Sequence, residues 1–227
     1  MIGIIGAMDS EITELKNQIA NLKTEKISNI DFYTGKINGK EIVLAKCGIG
    51  KVFAAICAQT MILKYHPEKI IHIGIAGSLC DDLSAHDIAI ASSVVQHDVD
   101  QTAFNFPKGL VQGLDDVNIL CDKKIVSDLT KCAEKLDIKY KIGVIASGDQ
   151  FIDSSDKKKE LVKDFNAIAV EMEGASTGQV CNVNGIDFAV IRAISDGNEN
   201  NSSVTYKKSK QSASDVSTAV IIEYLSM

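Results

Sequence analysis

The side chains with the clearest chemical potential are carboxylates that closely follow apolar runs. Four of them share this position: Glu11, Glu171, Glu173 and Asp196. Glycine-rich segments at 74–78 and 147–149 follow two further runs. Positioned carboxyl groups act as general acids, as general bases and as partners for positive charge. The pattern therefore predicts an acid–base site assembled from several separated segments.

Arg192 is the one arginine of the sequence, and it lies inside an apolar run. A buried, unpaired charge is very costly, so we expect an ion pair with Glu171 or Glu173. Strand alternation would place Arg192 and Asp196 on one face and Ser195 on the other.

Apolar runs that alternate with amphipathic segments predict the elements that hold these residues. We expect strands at 2–5, 32–37, 42–46, 69–74, 87–95, 141–147, 167–170 and 187–194, and helices at 9–22, 51–64, 123–136, 156–165, 173–183 and 205–225. Central runs that are apolar on both faces indicate a sheet covered by helices on both sides. The predicted fold is a single-domain three-layer α/β/α sandwich with a mixed central sheet over residues 1–227, with ligands at the carboxyl ends of its strands.

Composition excludes several classes of function. The net charge of −6 gives no basic surface for nucleic acid or anionic lipid, and no apolar stretch is long enough to span a membrane. Six cysteines without a CxxC motif or a Cys/His cluster predict reduced thiols, a cytoplasmic protein and no zinc site. Asp9 and Glu11 would repel a pyrophosphate at the first helix, which argues against nicotinamide or flavin cofactors. The lysines at 157–159 are interpreted as a solvated helix face.

Five segments, in order along nearly the whole chain, resemble the 5′-methylthioadenosine/S-adenosylhomocysteine nucleosidases of the nucleoside phosphorylase superfamily. They are GIIGAM (3–8) with Glu11, KCGIGKV (46–52), SGDQFI (147–152), VEMEGA (170–175) and RAISD (192–196). The resemblance implies a homodimer that hydrolyses the N-glycosidic bond of these nucleosides to adenine and a 5′-thioribose, without cofactor or metal. In this interpretation Asp196 is the acid at purine N7 and Glu11 is the base that activates water.

The resemblance also implies a set of substrate contacts. Glu173 holds the ribose hydroxyls with Met172 against the sugar, Phe151 stacks on the purine, and the backbone of Ile152 reads its edge. The alkylthio pocket is formed by Met8, Ile49, Met172 and Tyr206, and the neighbouring subunit supplies Phe104 and Phe106. The motif residues Ile75, Arg192 and Ser195 complete the candidate binding set.

Three positions depart from the family pattern and concern the 5′ pocket: Ile75, Gln101 and Tyr206. Three other functions stay open. A purine nucleoside phosphorylase would need cations for phosphate, which a chain with one arginine supplies poorly. A related nucleosidase that acts on futalosine or 5′-deoxyadenosine would use the same acids. A silent nucleoside-binding protein would not need Glu11 and Asp196.

Overall fold

The computed structural model describes residues 1–197 and 202–227, which form a mixed sheet with helices on both faces. The strands within these residues are β1 (Ile2–Gly6), β2 (Ala20–Ile27), β3 (Ile30–Ile37), β4 (Lys40–Lys46), β5 (Lys69–His72), β6 (Ile75–Ser78), β7 (Ile88–Gln96), β8 (Ile119–Leu120), β9 (Tyr140–Ser147), β10 (Ala167–Glu171) and β11 (Asp187–Asp196). The helices are α1 (Asp9–Asn17), α2 (Lys51–Tyr65), α3 (Lys123–Lys135), α4 (Ser155–Phe165), α5 (Gly174–Asn184) and α6 (Ser202–Tyr224). The predicted three-layer α/β/α class with a mixed sheet is confirmed.

The strand order is β2-β3-β4-β1-β5-β11-β6-β10-β9-β7-β8. Strands β4, β1, β5 and β11 run parallel to one another, whereas β3–β4, β6–β10 and β7–β11 pair in the antiparallel sense. Because β7 pairs with β11 as well as with β9, the strands β11, β6, β10, β9 and β7 close into a ring. The sheet is therefore open on the β2 side and closed at its other half.

Two helical layers cover the sheet. On one face α1, α3 and α6 bury Leu15, Leu129 and Val220 against the central strands. On the other face α2 and α5 bury Met61 and Cys181. Burial of these apolar side chains, at about 25 cal/mol per Å² of surface removed from water, is the main term that holds the layers together. Among the described residues, no helix is sufficiently long and apolar to cross a bilayer.

The predicted strand at 69–74 is interrupted and then continues as β6. Both β5 and β6 run parallel to β11 in one unbroken register, from Lys69 opposite Asp187 to Ile75 opposite Ala193. At Gly74 the chain leaves its neighbour β1, and β6 pairs with β10 instead. This change of partner opens the space in which the candidate site lies.

The prediction of a first helix over 9–22 was wrong at its end. Helix α1 stops at Asn17, Asn21 has a left-handed φ of +57°, and the chain returns as strand β2. All but the last residue of β2 is exposed, so this edge strand has no apolar alternation. Its conformation is determined by the hairpin that it forms with β3, across a two-residue turn in which Ser28 and Asn29 have left-handed φ values of +50° and +62°.

Candidate active site

One cavity of about 160 Å³ lies where β1, β10 and β11 end, along β6. Its wall comprises Ala7, Met8, Glu11, Ile49, Ile75, Ala76, Gly77, Gln150, Phe151, Ile152, Val170, Glu171, Met172, Glu173, Ser195, Asp196 and Tyr206. The carboxylates that the sequence singled out therefore meet in one place, within an otherwise mostly apolar wall. Sequence reasoning missed Gln150, Val170 and the wall positions Ala7, Ala76 and Gly77.

Glu11 is buried and fixed by backbone donors. Its Oε2 accepts hydrogen bonds from the backbone N–H groups of Ala7 (2.6 Å) and Met8 (2.9 Å), and its Oε1 accepts one from Ile75 (3.2 Å). Burial raises the pKa of this carboxyl, while the charge of Arg192 and the three backbone donors act in the opposite direction. Gly74 makes the arrangement possible, because a Cβ there would lie 2.6 Å from Oε1 and its φ of +153° disfavours other residues.

Glu171 and Arg192 form the predicted buried ion pair. The guanidinium donates to Glu171 Oε2 from Nε (3.1 Å) and at closer range from Nη2, and Nη1 donates to the carbonyl of His72 (3.0 Å). Glu171 also accepts the N–H groups of Glu173 and Gly174 at the start of α5. The structure thus places Arg192 beneath the site rather than in its wall, where it holds the segment that carries Glu173.

Glu173 faces the cavity next to the N-terminus of α2. Its Oε1 accepts the backbone N–H of Gly50 at 2.7 Å, and a helix N-terminus favours a carboxylate. Burial, and then the charge of Glu171, nevertheless raise the pKa of Glu173 to about 8. At neutral pH this pKa favours a protonated Glu173.

Asp196 ends β11 and is buried in the cavity wall. The hydroxyl of Ser195 donates to Asp196 Oδ1 at 2.7 Å. The expectation that Ser195 and Asp196 lie on opposite faces was wrong, because the register of β11 against β6 shifts between Ile194 and Asp196. Such a bulge turns successive side chains to one side, and here both line the cavity.

Lys158, on α4, lies immediately behind Asp196. Its Nζ donates to the carbonyl of Gly197 at 2.6 Å and lies 3.9 Å from Asp196 Oδ2. The interpretation of the lysines at 157–159 as a solvated face was wrong for this residue, whose side chain is 0% exposed. Its helical spacing to the buried Leu161 and Phe165 was the signal that could have placed it on the inner face.

Apolar and aromatic side chains close the remaining wall. The ring of Tyr206 meets that of Phe151 edge to face, with centroids 5.5 Å apart. The Tyr206 hydroxyl donates to the sulfur of Met8 at 3.3 Å. Ile49, Ile75, Ile152 and Met172 lie in the same wall. A flat aromatic face beside soft thioethers suits a purine and an alkylthio group.

Phe104 and Phe106 are not brought to this cavity within the part of the chain that the structure describes. Phe104 ends a short 3₁₀ turn and is 75% exposed, and Phe106 is also exposed. Gln101, which begins this turn, likewise lies outside the wall. Over residues 1–197 and 202–227, no three His, Cys, Asp or Glu side chains are grouped so as to hold a metal ion.

Comparisons with known proteins place this geometry in a family. The Phosphorylase superfamily model matches residues 1–226. The 5′-methylthioadenosine/S-adenosylhomocysteine nucleosidase of Haemophilus influenzae (strain PittEE) is 38% identical over 99% of this chain and 98% of its own length. The crystal structure of the corresponding nucleosidase from Neisseria meningitidis, in complex with methylthio-immucillin-A, has a TM-score of 0.96 at 32% identity and covers 99% of this chain and 98% of that one.

A second structure is similar to the same extent. The native structure of futalosine hydrolase from Helicobacter pylori strain 26695 has a TM-score of 0.94 at 35% identity, over 98% of this chain and 96% of that one. Together with the cavity and its buried carboxyls, these matches show that the chain belongs to the phosphorylase superfamily and, within it, to the 5′-methylthioadenosine/S-adenosylhomocysteine nucleosidases.

Proposed function

We propose that this protein hydrolyses the N-glycosidic bond of 5′-methylthioadenosine and S-adenosylhomocysteine, releasing adenine and the 5′-thioribose. The observation that carries the proposal is the meeting of Glu11, Glu173 and Asp196 in one buried cavity of a chain that belongs to this nucleosidase family. Related proteins with these names support the substrate class.

Asp196 is the acid in this proposal. Adenine leaves poorly as an anion, so its ring must gain a proton as the bond to the sugar breaks, and a positioned acid contributes about 10²–10⁴ in rate. The Ser195 hydroxyl on Oδ1 fixes the carboxyl. Asp196 is buried in the cavity wall, which the other carboxyls Glu11 and Glu173 also line.

Glu11 activates the water. Its two oxygens are held by three backbone N–H groups, so it keeps its position as charge changes around it. A raised pKa makes it a stronger base than a solvated glutamate. The water oxygen forms its bond to the anomeric carbon, Glu11 takes the water proton, and the electron pair of the broken bond passes to the purine.

Glu173 anchors the ribose hydroxyls. One oxygen accepts the Gly50 N–H, and the carboxyl as a whole faces the cavity. The oxygens of this carboxyl accept from the ribose hydroxyls and place negative charge near the sugar, which stabilises it as it acquires oxocarbenium character.

Different wall residues would contact different parts of the nucleoside. Phe151 is half-exposed at the mouth and would stack on the purine, with the backbone of Ile152 at its edge. Met8, Ile49, Met172 and Tyr206 would receive the 5′ substituent. The mechanism uses carboxyl groups and water, with no cofactor.

The proposed active form is a homodimer in which the segment of Phe104 and Phe106 crosses to the neighbouring site. An unpartnered apolar face on α2 supports this: Val52, Phe53, Ile56 and Leu63 are all exposed. Large exposed apolar patches mark interaction surfaces. We also propose a cytoplasmic location, supported by six free thiols, most of them buried.

Two alternatives are tested with the same experiment. A phosphorylase would need cations at the site, but among the described residues the cavity wall carries neither lysine nor arginine. A futalosine hydrolase is favoured by two similar structures of that name. The experiment is chromatography of the products after incubation with methylthioadenosine, S-adenosylhomocysteine or futalosine, with and without phosphate. Phosphate-independent release of adenine from the first two supports the proposal, and sugar phosphate or exclusive cleavage of futalosine contradicts it.

The control for this assay is the Asp196→Asn variant, in which the amide cannot deliver a proton. We expect it to bind methylthioadenosine in calorimetry with an affinity within about threefold of the wild type and to lose at least about 10³-fold in kcat. Turnover near the wild-type rate would refute the role of Asp196.

A further inference from the structure

Lys158 is the most unusual side chain near the candidate site. Helix α4 turns Lys158, Leu161 and Phe165 toward the protein interior, so a lysine occupies a position that normally carries an apolar side chain. Its chain neighbours are different: Lys159 is 78% exposed and pairs with Asp156 on the surface. Burial of a lysine is costly unless its charge is paired or hydrogen-bonded.

The ammonium group of Lys158 is directed to the end of β11. It donates to the carbonyl of Gly197 at 2.6 Å and lies 3.9 Å from Oδ2 of Asp196. Ser195 holds the other oxygen, Oδ1, at 2.7 Å. Asp196 is therefore flanked by a neutral donor on one oxygen and a positive charge near the other.

Lys158 does not line the cavity, but its ammonium group lies 3.9 Å from Asp196, which does, so Asp196 can carry its effect to the reaction. A buried carboxylic acid gives up its proton reluctantly, because burial disfavours the carboxylate that remains. A nearby ammonium compensates for this, since it stabilises that carboxylate. Burial lowers the pKa of Lys158, but the charges of Asp196 and Asp153 act against this and favour the ammonium form.

We propose that Lys158 is a positioning residue of the reaction, whose ammonium group stabilises the Asp196 carboxylate as its proton passes to the purine. This rests on the proposed function, in which Asp196 is the acid. The proton moves from Asp196 to the purine nitrogen, the electron pair of the glycosidic bond moves to the purine, and Lys158 keeps all its protons. Lys158 makes no bond to the substrate.

The proposal predicts a dependence on the leaving group. Adenine needs the proton of Asp196, whereas 4-nitrophenolate leaves as a stable anion and does not. We therefore compare Lys158→Met on methylthioadenosine and on 4-nitrophenyl 5-methylthioriboside, with Lys159→Met as the matched control on the same helix.

For Lys158→Met we expect kcat on methylthioadenosine to fall about 10–100-fold with KM changed by less than about threefold, because part of the contribution of the acid is lost. The rate with the nitrophenyl riboside should stay within about threefold of the wild type. Lys158→Arg should recover most of the lost kcat, and Lys159→Met should match the wild type on both substrates.

Equal losses on both substrates would overturn the proposal, because they would indicate a purely structural role, and so would an unchanged rate on both. If Lys158→Met fails to fold, Lys158→Gln is measured in the same way, with the nitrophenyl rate as its internal test of an intact site. In Asp196→Asn, adding Lys158→Met should cause no further loss. A fully active Asp196→Asn would instead contradict the proposed function itself, so the two failures are distinguishable.

Discussion

Gly77 lies directly against the proposed acid, and its replacement by alanine tests the position of Asp196 without changing its chemistry. A Cβ at Gly77 would lie 2.9 Å from Asp196 Oδ2, whereas ordinary contact begins near 3.4 Å, so the carboxyl must retreat by about 0.5 Å. The φ of Gly77 lies outside the left-handed region. Alanine is therefore compatible with the backbone, and only the side chain of Asp196 has to move.

We expect Gly77→Ala to lower the activity while leaving the stability nearly unchanged. Small displacements of catalytic groups cost up to about 10²-fold, so kcat on methylthioadenosine should fall by about 10–100-fold, or about 1.4–2.7 kcal/mol in the barrier. The free energy of unfolding should stay within about 1 kcal/mol of the wild type, since alanine restricts the unfolded chain without straining the native one. Steady-state kinetics and urea unfolding measure the two quantities.

Two comparisons make the result interpretable. If the added methyl group only narrows the cavity, KM rises and kcat is kept, whereas displacement of the acid lowers kcat. Gly39→Asn, in a turn with no atom within 4 Å of the added Cβ, should leave both constants unchanged. A wild-type kcat in folded Gly77→Ala would refute the reasoning that the position of Asp196 sets the rate.

Three further predictions concern charge and assembly. Because the pKa of Glu173 is raised to about 8 from 4.5, the folded state binds more protons than the unfolded state between these pH values. The free energy of unfolding should therefore fall from pH 5 to pH 8, and it should fall more steeply in the wild type than in Glu173→Gln. Thermal unfolding measured across this pH range checks the difference. An equal slope in both proteins would contradict the raised pKa. Arg192→Met leaves the buried Glu171 without its partner and should lower the free energy of unfolding by about 3–5 kcal/mol. Urea titration measures this loss, and a loss below about 1 kcal/mol would contradict the ion-pair account. Phe53→Asp places a charge on the exposed face of α2 and should convert the proposed dimer to a less active monomer in sedimentation. An unchanged sedimentation coefficient would show that this face is not part of the interface.

The central strands and the carboxylates of the site were predictable because their signals are local. Runs such as that of β11 are apolar on both faces, which only a covered sheet tolerates. The ion pair of Glu171 and Arg192 followed from the cost of an unpaired buried charge. Carboxylates placed after strands could be expected to meet, and Glu11, Glu173 and Asp196 do line one cavity.

Most of the features that sequence reasoning missed depend on how one segment packs or pairs with another. Strand β2 is exposed on both faces and lacks an apolar pattern, and it forms because it pairs with β3 across the turn at Ser28 and Asn29. The ring closes through the contact of β7 with β11, which no local pattern indicates. The bulge after Ile194 turned Ser195 toward the cavity against simple alternation. The burial of Lys158 was not predicted, because the run of three lysines indicates a solvated face while the helical spacing indicates the inner face.

The central claim is that Glu11 and Asp196 act on opposite sides of one glycosidic bond. The measurement that tests it most directly is a crystal structure of the protein with a non-hydrolysable analogue of methylthioadenosine. We predict Asp196 within about 3 Å of purine N7 and a water held between Glu11 and the anomeric carbon, the reach that general acid–base catalysis requires. An analogue bound with N7 away from Asp196, or with the anomeric carbon beyond the reach of a water on Glu11, would contradict the account.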